Sequence, residues 1–185
     1  MNKQDFLQVF HPFQPPQALL QLFDYNTLAK GVGFHQGFKI AIEHNKEIWK
    51  QFSNNSRFLE ALIGFAQANE KGTTYALWTA AAQWSLDDAP ILIFDPQEGF
   101  YPIANNSREF LQLLALQVPP TISARQVYFQ KQAHPAPSEP QGSYSRWLED
   151  SLELSPIREG HSIVAAAQNA HQKSFENWMR RHYRA

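Results

Sequence analysis

Residues 73–117 read TTYALWTAAAQWSLDDAPILIFDPQEGFYPIANNSREFLQLLALQ. Three short apolar and aromatic runs come first, at 73–79, 90–94 and 100–104, and each is bounded by turn-forming residues. That is the pattern of strands rather than of helices. A helix follows, opened by Asn105-Asn106-Ser107 with Glu109 three residues after Asn106, the spacing of a capping box. Ile91-Leu92-Ile93-Phe94 is apolar at consecutive positions, so it reads as a central strand covered on both faces. In the run before it, Tyr75 and Leu77 share one face and Thr74, Ala76 and Trp78 the other. Asp95-Pro96-Gln97-Glu98-Gly99 makes a tight turn, since Pro fixes φ and Gly99 accepts a positive φ. Pro102 has no N–H to donate, which places the third strand at an edge or at a bulge. Phe110, Leu113, Leu114 and Gln117 recur at helical spacing and lie toward the sheet, and Pro119-Pro120 stops the helix.

Outward from this stretch the pattern continues as α+β. Residues 1–15 read as a polar-aromatic arm, and Pro16 opens a helix with Ala18, Leu19, Leu22 and Phe23 on one face. Residues 37–43 alternate as a half-buried strand, with Phe38, Ile40 and Ile42 on one side. Residues 46–52 are ambiguous. Asn54-Asn55-Ser56 caps an expected helix whose face is Phe58, Leu62 and Phe65. Beyond Pro120, residues 123–132 suit another strand or an extended crossover. Pro135, Pro137 and Pro140 mark 133–143 as a linker, expected to be mobile. Two helices are expected after it, over 144–152 and 162–183, the second with Val164, Ala167, His171, Phe175 and Trp178 near one stripe. The expected architecture is therefore a mostly antiparallel sheet flanked by helices (core 1–132), with a C-terminal helical extension, 144–185, packing on that core.

Composition narrows the function. The chain has 185 residues, a formal net charge of −1 and no cysteine. Near-neutrality gives no electrostatic reason to expect nucleic acid as a partner. The missing cysteines exclude disulfides, thiol nucleophiles and thiolate metal sites. No apolar run approaches the ~20 residues that span a bilayer, and the N-terminus carries no cleavable apolar segment, so a cytoplasmic protein without a membrane partner is expected.

No motif for phosphate, dinucleotide or zinc binding, and no nucleophile elbow, occurs in the chain. His44 beside Glu43 and Glu47 is the nearest approach to a metal set, and a solvated surface is its ordinary reading. His171 falls on an apolar stripe, where a packed histidine is the ordinary reading. Four acids frame the central strand: Asp87 and Asp88 before it, Asp95 and Glu98 after it. About six residues at ~3.3 Å each separate the two pairs by roughly 20 Å, too far for one carboxylate site. What remains is an acidic binding edge, or Asp95 with Glu98 inside one turn. Trp78 and Trp84 are aromatic candidates for contact, with core packing the alternative for both.

The order of these segments resembles the SUKH superfamily. The matching pieces are Thr74 to Trp78, Ala89 to Phe94, Glu98-Gly99, Ala104 to Ser107 and Phe110 to Ala115. Trp147-Leu148, Ile163 to Gln168, Phe175 and Trp178 resemble an accessory tail of some bacterial members. The chain departs from the pattern at Asp95-Pro96-Gln97, where a glycine precedes the turn in the family. The resemblance implies an α+β fold and a non-enzymatic immunity protein that covers a toxin, often a nuclease, with no cofactor, metal or catalytic residue. For a basic partner it makes Asp87, Asp88, Asp95 and Glu98 contact candidates beside Trp78 and Trp84. Two other readings stay open: a regulatory interaction module without a toxin partner, and a hydrolase using Asp95 and Glu98. An exposed edge strand leaves both monomer and homodimer open.

Overall fold

All five residues of the strand Thr74–Trp78 are buried, because the sheet built around it is covered on both faces. The computed structural model describes residues 2–30, 34–35, 37–40, 45–50, 52–81, 85–129 and 140–182. Five strands form an antiparallel meander in chain order: β1 (Lys39–Ile40), β2 (Leu62–Gln67), β3 (Thr74–Trp78), β4 (Ile91–Asp95) and β5 (Gly99–Ala104). The fold is α+β, as the sequence pattern predicts. β5 is one of the two edge strands, β1 the other, and its register against β4 slips between Ile91 and Leu92, beside Pro102. Pro102 is therefore both at an edge and at an irregularity, the two places where a missing donor does least harm.

Alternation along the strands builds two cores. On one face Tyr75, Leu77, Ile91, Ile93 and Ile103 meet four helices. These are α1 (Lys3–Val9), α2 (Gln17–Leu28), α5 (Ser107–Leu114) and α6 (Pro140–Leu152), which contribute Phe6, Leu19, Phe110 and Tyr144. On the other face Ala76, Trp78, Leu92, Phe94 and Phe100 meet Trp49 of α3 (Asn45–Lys50), Phe58 of α4 (Ser56–Glu60) and Phe175 of α7 (His161–His182). A separate hairpin, β6 (Pro120–Ser123) with β7 (Gln126–Phe129), follows α5.

Several expectations change. The arm over 1–15 contains α1, opened by a capping box between Asn2 and Asp5, and Phe6 and Phe10 are fully buried. The helix expected through Phe58, Leu62 and Phe65 ends at Glu60; Leu62 and Phe65 belong to β2 and reach different cores. The ambiguous segment around residue 46 is α3, whose Trp49 is fully buried. Of the strand expected over 37–43, Lys39–Ile40 pairs with β2, and 41–43 lie outside the described residues. Where 123–132 suit a strand or an extended crossover, the chain forms the β6–β7 hairpin over 120–129, with 130–132 outside the described residues. Within the expected linker, 133–139 lie outside the described residues, and from Pro140 the chain is already α6.

The two C-terminal helices are built into both cores. Tyr144 and Leu148 of α6 are fully buried, and the Tyr144 hydroxyl donates to the Leu111 carbonyl at 3.1 Å. Arg108 Nη2 donates to the Leu152 carbonyl at 2.7 Å. Along α7, Val164 lies in the first core and Phe175 in the second. These residues are about 16 Å apart at ~1.5 Å per residue, so α7 passes from one face of the sheet to the other beside β5. Gly160 marks the entry: a Cβ there would meet Leu113 Cδ2 at 2.9 Å and Phe129 Cδ2 at 3.0 Å.

Candidate functional site

Asp87 and Asp95 are occupied by the fold. Asp87 Oδ1 accepts the Gln17 N–H at 2.9 Å, and Oδ2 accepts the Ser85 hydroxyl at 2.9 Å. Pro16 supplies no side-chain cap to α2, so Asp87 satisfies one of its free N–H groups from across the chain. Asp95 Oδ1 accepts the Gln97 and Glu98 N–H groups at 2.9 and 3.2 Å, and Oδ2 accepts the Thr73 hydroxyl at 2.8 Å. This closes an Asx turn between β4 and β5, completed by Gly99 at φ 94°. Asp88 and Glu98 are exposed, at opposite ends of β4. Trp78 is only 3% exposed and packs against Phe175 and Trp178, so it offers no surface while α7 is docked. Trp84 lies outside the described residues. Among the described candidates, the four acids and Trp78 do not converge on one patch, and Glu98 borders a concave surface.

That surface is a groove of about 560 Å³ between β5 and α7. Its apolar lining comes from Phe52, Phe100, Phe175 and Met179. Glu98, Arg125, Glu176 and Arg180 supply its charges. Glu176 receives a hydrogen bond from Gln172 Nε2 at 2.8 Å, and Arg180 Nη2 donates to Asn177 Oδ1 at 2.6 Å. The side chains of Glu98 and Arg125 make neither a hydrogen bond nor an ion pair among the described residues. Both lie near Tyr101, whose phenol is held above its ordinary pKa by burial first and by Glu98 next, with Arg125 opposing. The Tyr101 hydroxyl donates to the Glu98 carbonyl at 2.7 Å. Arg125 stands on the β6–β7 turn at φ 64°, beside Ala124 at φ 51°.

A larger cleft, about 860 Å³, separates the α1 side of the molecule (Val9, His11, Phe13) from α4 and β2 (Arg57, Glu60, Ile63). One of its acids, Glu47, is already paired with Lys50. Burial lowers the His171 pKa, with the Glu109 carboxylate opposing. Among the described residues, no three His, Asp or Glu side chains are grouped to hold a metal ion, and no helix is long and apolar enough to cross a membrane.

The β5–α7 groove was not visible in the sequence. Arg125, Gln172, Glu176 and Arg180 lie far from Glu98 along the chain, and the β6–β7 hairpin and the path of α7 bring them together with it. Architecture and groove describe an α+β domain with a concave, charge-rimmed apolar surface. Comparison of the chain with family models, curated proteins and solved structures found no match.

Proposed function

We propose that this protein is a non-enzymatic binding domain that neutralises a toxin by covering it, the role that its resemblance to SUKH immunity proteins implies. The observation that carries the reading is the β5–α7 groove. It has the half-buried Phe52 and Met179 at its base and charges at its rim, an apolar patch ringed by polar groups as in protein-recognition surfaces. Affinity rather than bond chemistry is what such an inhibitor needs, and the cytoplasm is where a cell would keep it. Of the four acids framing β4, Asp88 and Glu98 are exposed and their carboxylates are left for a basic partner to face.

The hydrolase reading has less support. Both Asp95 oxygens are engaged, by the Gln97 and Glu98 N–H groups and by the Thr73 hydroxyl, and among the described residues no histidine lines the groove beside Glu98. A regulatory module without a toxin partner would use the same groove, and gene neighbourhood separates it from an immunity protein. The direct test is co-expression with the toxins encoded beside its gene. Restored growth with one of them, and a stable complex on a sizing column, is the expected result. Failure to protect against any of them, with no complex formed, would overturn the proposal.

A further inference from the structure

We propose that the β5–α7 groove is a receptor for an arginine side chain of the partner, which lays its apolar stem on Phe52 and Met179 and its guanidinium between Glu98 and Glu176. This rests on the protein-binding reading above and adds which group of the partner enters the groove and by what chemistry. The occupant is a side chain rather than a strand, because α7 already lies along β5 and residues 100–104 are all buried. Phe100 and Phe175 are closed off at 5% and 1% exposure, so the half-buried Phe52 and Met179 supply the apolar surface that a ligand can touch.

The charges at one end of the groove favour a cation, and Tyr101 marks that end. Burial first and Glu98 next raise the Tyr101 pKa; Arg125 opposes, and Asp95 and Glu176 add to the rise. Three carboxylates therefore act there against one guanidinium. Asp95 uses both oxygens in its own turn and with Thr73. The Glu98 carboxylate has no partner among the described residues, and Glu176 engages one oxygen, with Gln172 Nε2 at 2.8 Å. Arg180 is drawn back along α7, its Nε donating to the Glu176 carbonyl at 3.5 Å and its Nη2 to Asn177 Oδ1 at 2.6 Å. Arg125, on the β6–β7 turn, forms no ion pair with either acid. Glu98 and Glu176 stand on different elements, the β4–β5 turn and α7, so a planar fork of donors answers both where a point charge answers one. Arginine also has a stem that lies along apolar surface while its charged head stays in water.

The experiment is to titrate N-acetyl-arginine methylamide into the isotope-labelled whole protein and follow backbone amides by NMR, with the citrulline and lysine counterparts as controls. Glu98→Gln, Glu176→Gln and Arg125→Gln, all at exposed positions, serve as variants, with circular dichroism to verify their folding. The arginine compound should shift the amides of Glu98, Gly99 and Glu176 saturably. The uncharged citrulline compound should not, and the lysine compound should bind more weakly. Each loss of a carboxylate should weaken arginine by about threefold, and Arg125→Gln, which removes the opposing charge, should tighten it by about the same factor. No saturable shift in the groove, equal binding of citrulline or lysine, or weaker binding by Arg125→Gln would overturn the assignment. A toxin complex that keeps its affinity in the double variant Glu98→Gln with Glu176→Gln would refute the groove alone, whereas absence of protection and complex in wild type refutes the binding reading itself.

Discussion

Replacing Phe175 by Ala tests whether α7 is a structural part of the second core. Phe175 is 1% exposed and its ring faces Trp78 at 5.0 Å, Trp178 at 5.7 Å and Phe100 at 5.9 Å. Truncating a buried Phe costs about 3–5 kcal/mol, part of it for the cavity left behind. With three ring neighbours held by a helix on one side and the sheet on the other, little collapse is available, so about 4 kcal/mol is expected. That is a large fraction of the ~5–15 kcal/mol that holds a domain together. At roughly 2–4 °C per kcal/mol for a chain of this size, Tm should fall by about 12 °C. Urea unfolding followed by both tryptophan emission and far-ultraviolet circular dichroism is the assay, since Trp78 and Trp178 flank the substituted ring. The two signals should move together to a lower midpoint, and Lys173→Ala on the exposed side of α7 should change stability by no more than ~0.5 kcal/mol. A loss below about 1 kcal/mol, or a separate early transition of α7 with the rest unchanged, would refute the reasoning.

Asp95→Ala removes an acceptor from two backbone N–H groups and the Thr73 hydroxyl, and should cost about 2 kcal/mol, whereas Glu98→Gln should leave stability within ~0.5 kcal/mol. Equal losses in urea titrations would contradict the turn assignment. Gly160→Ala should destabilise by about 1–3 kcal/mol, because the added carbon meets Leu113, Leu116 and Phe129 at 2.9–3.1 Å, and an unchanged thermal midpoint would show that α7 can shift aside. Burial holds the His171 pKa below its unfolded value, so below about pH 6.5 the unfolded chain binds a proton that the folded chain resists. Stability should therefore fall as pH drops through the unfolded value, level off below the folded one, and show no His171 contribution above both. The urea midpoint of His171→Gln should fall less between pH 7.5 and 5.5 than that of the wild type, and identical pH slopes would reject the assignment.

β3, β4, β5 and α5 were legible because local signals agreed with tertiary position. Turn residues bounded each run, Asn106 accepts the Glu109 N–H at 3.0 Å as the capping pattern predicts, and Pro102 marked the edge. One detail differs, in that the Glu109 carboxylate reaches back to the Asn105 N–H rather than to that of Asn106. β2 was hidden by aliasing: Phe58, Leu62 and Phe65 stand at helical spacing, yet the chain changes from helix to strand at Ala61 and its register slips between Gly64 and Ala66. The β6–β7 hairpin was hidden by its turn chemistry. Ala124 and Arg125 adopt positive φ where Asn-Gly is the usual signal, so no local cue announced a reversal. The groove was illegible for a different reason, because its walls meet only through long-range packing that no short window contains.

The passage of α7 from one side of the sheet to the other also sets an order of events during synthesis. Trp78, Phe94 and Phe100 leave the ribosome well before the helix that will shield them. At ~5–20 residues per second, the ~75 residues between Phe100 and Phe175 take roughly 4–15 s to make. Throughout that interval the aromatic flank of the sheet waits for Phe175, while the first core still awaits Tyr144 and Val164, and chaperones or unwanted neighbours in the surrounding cell can reach either face first.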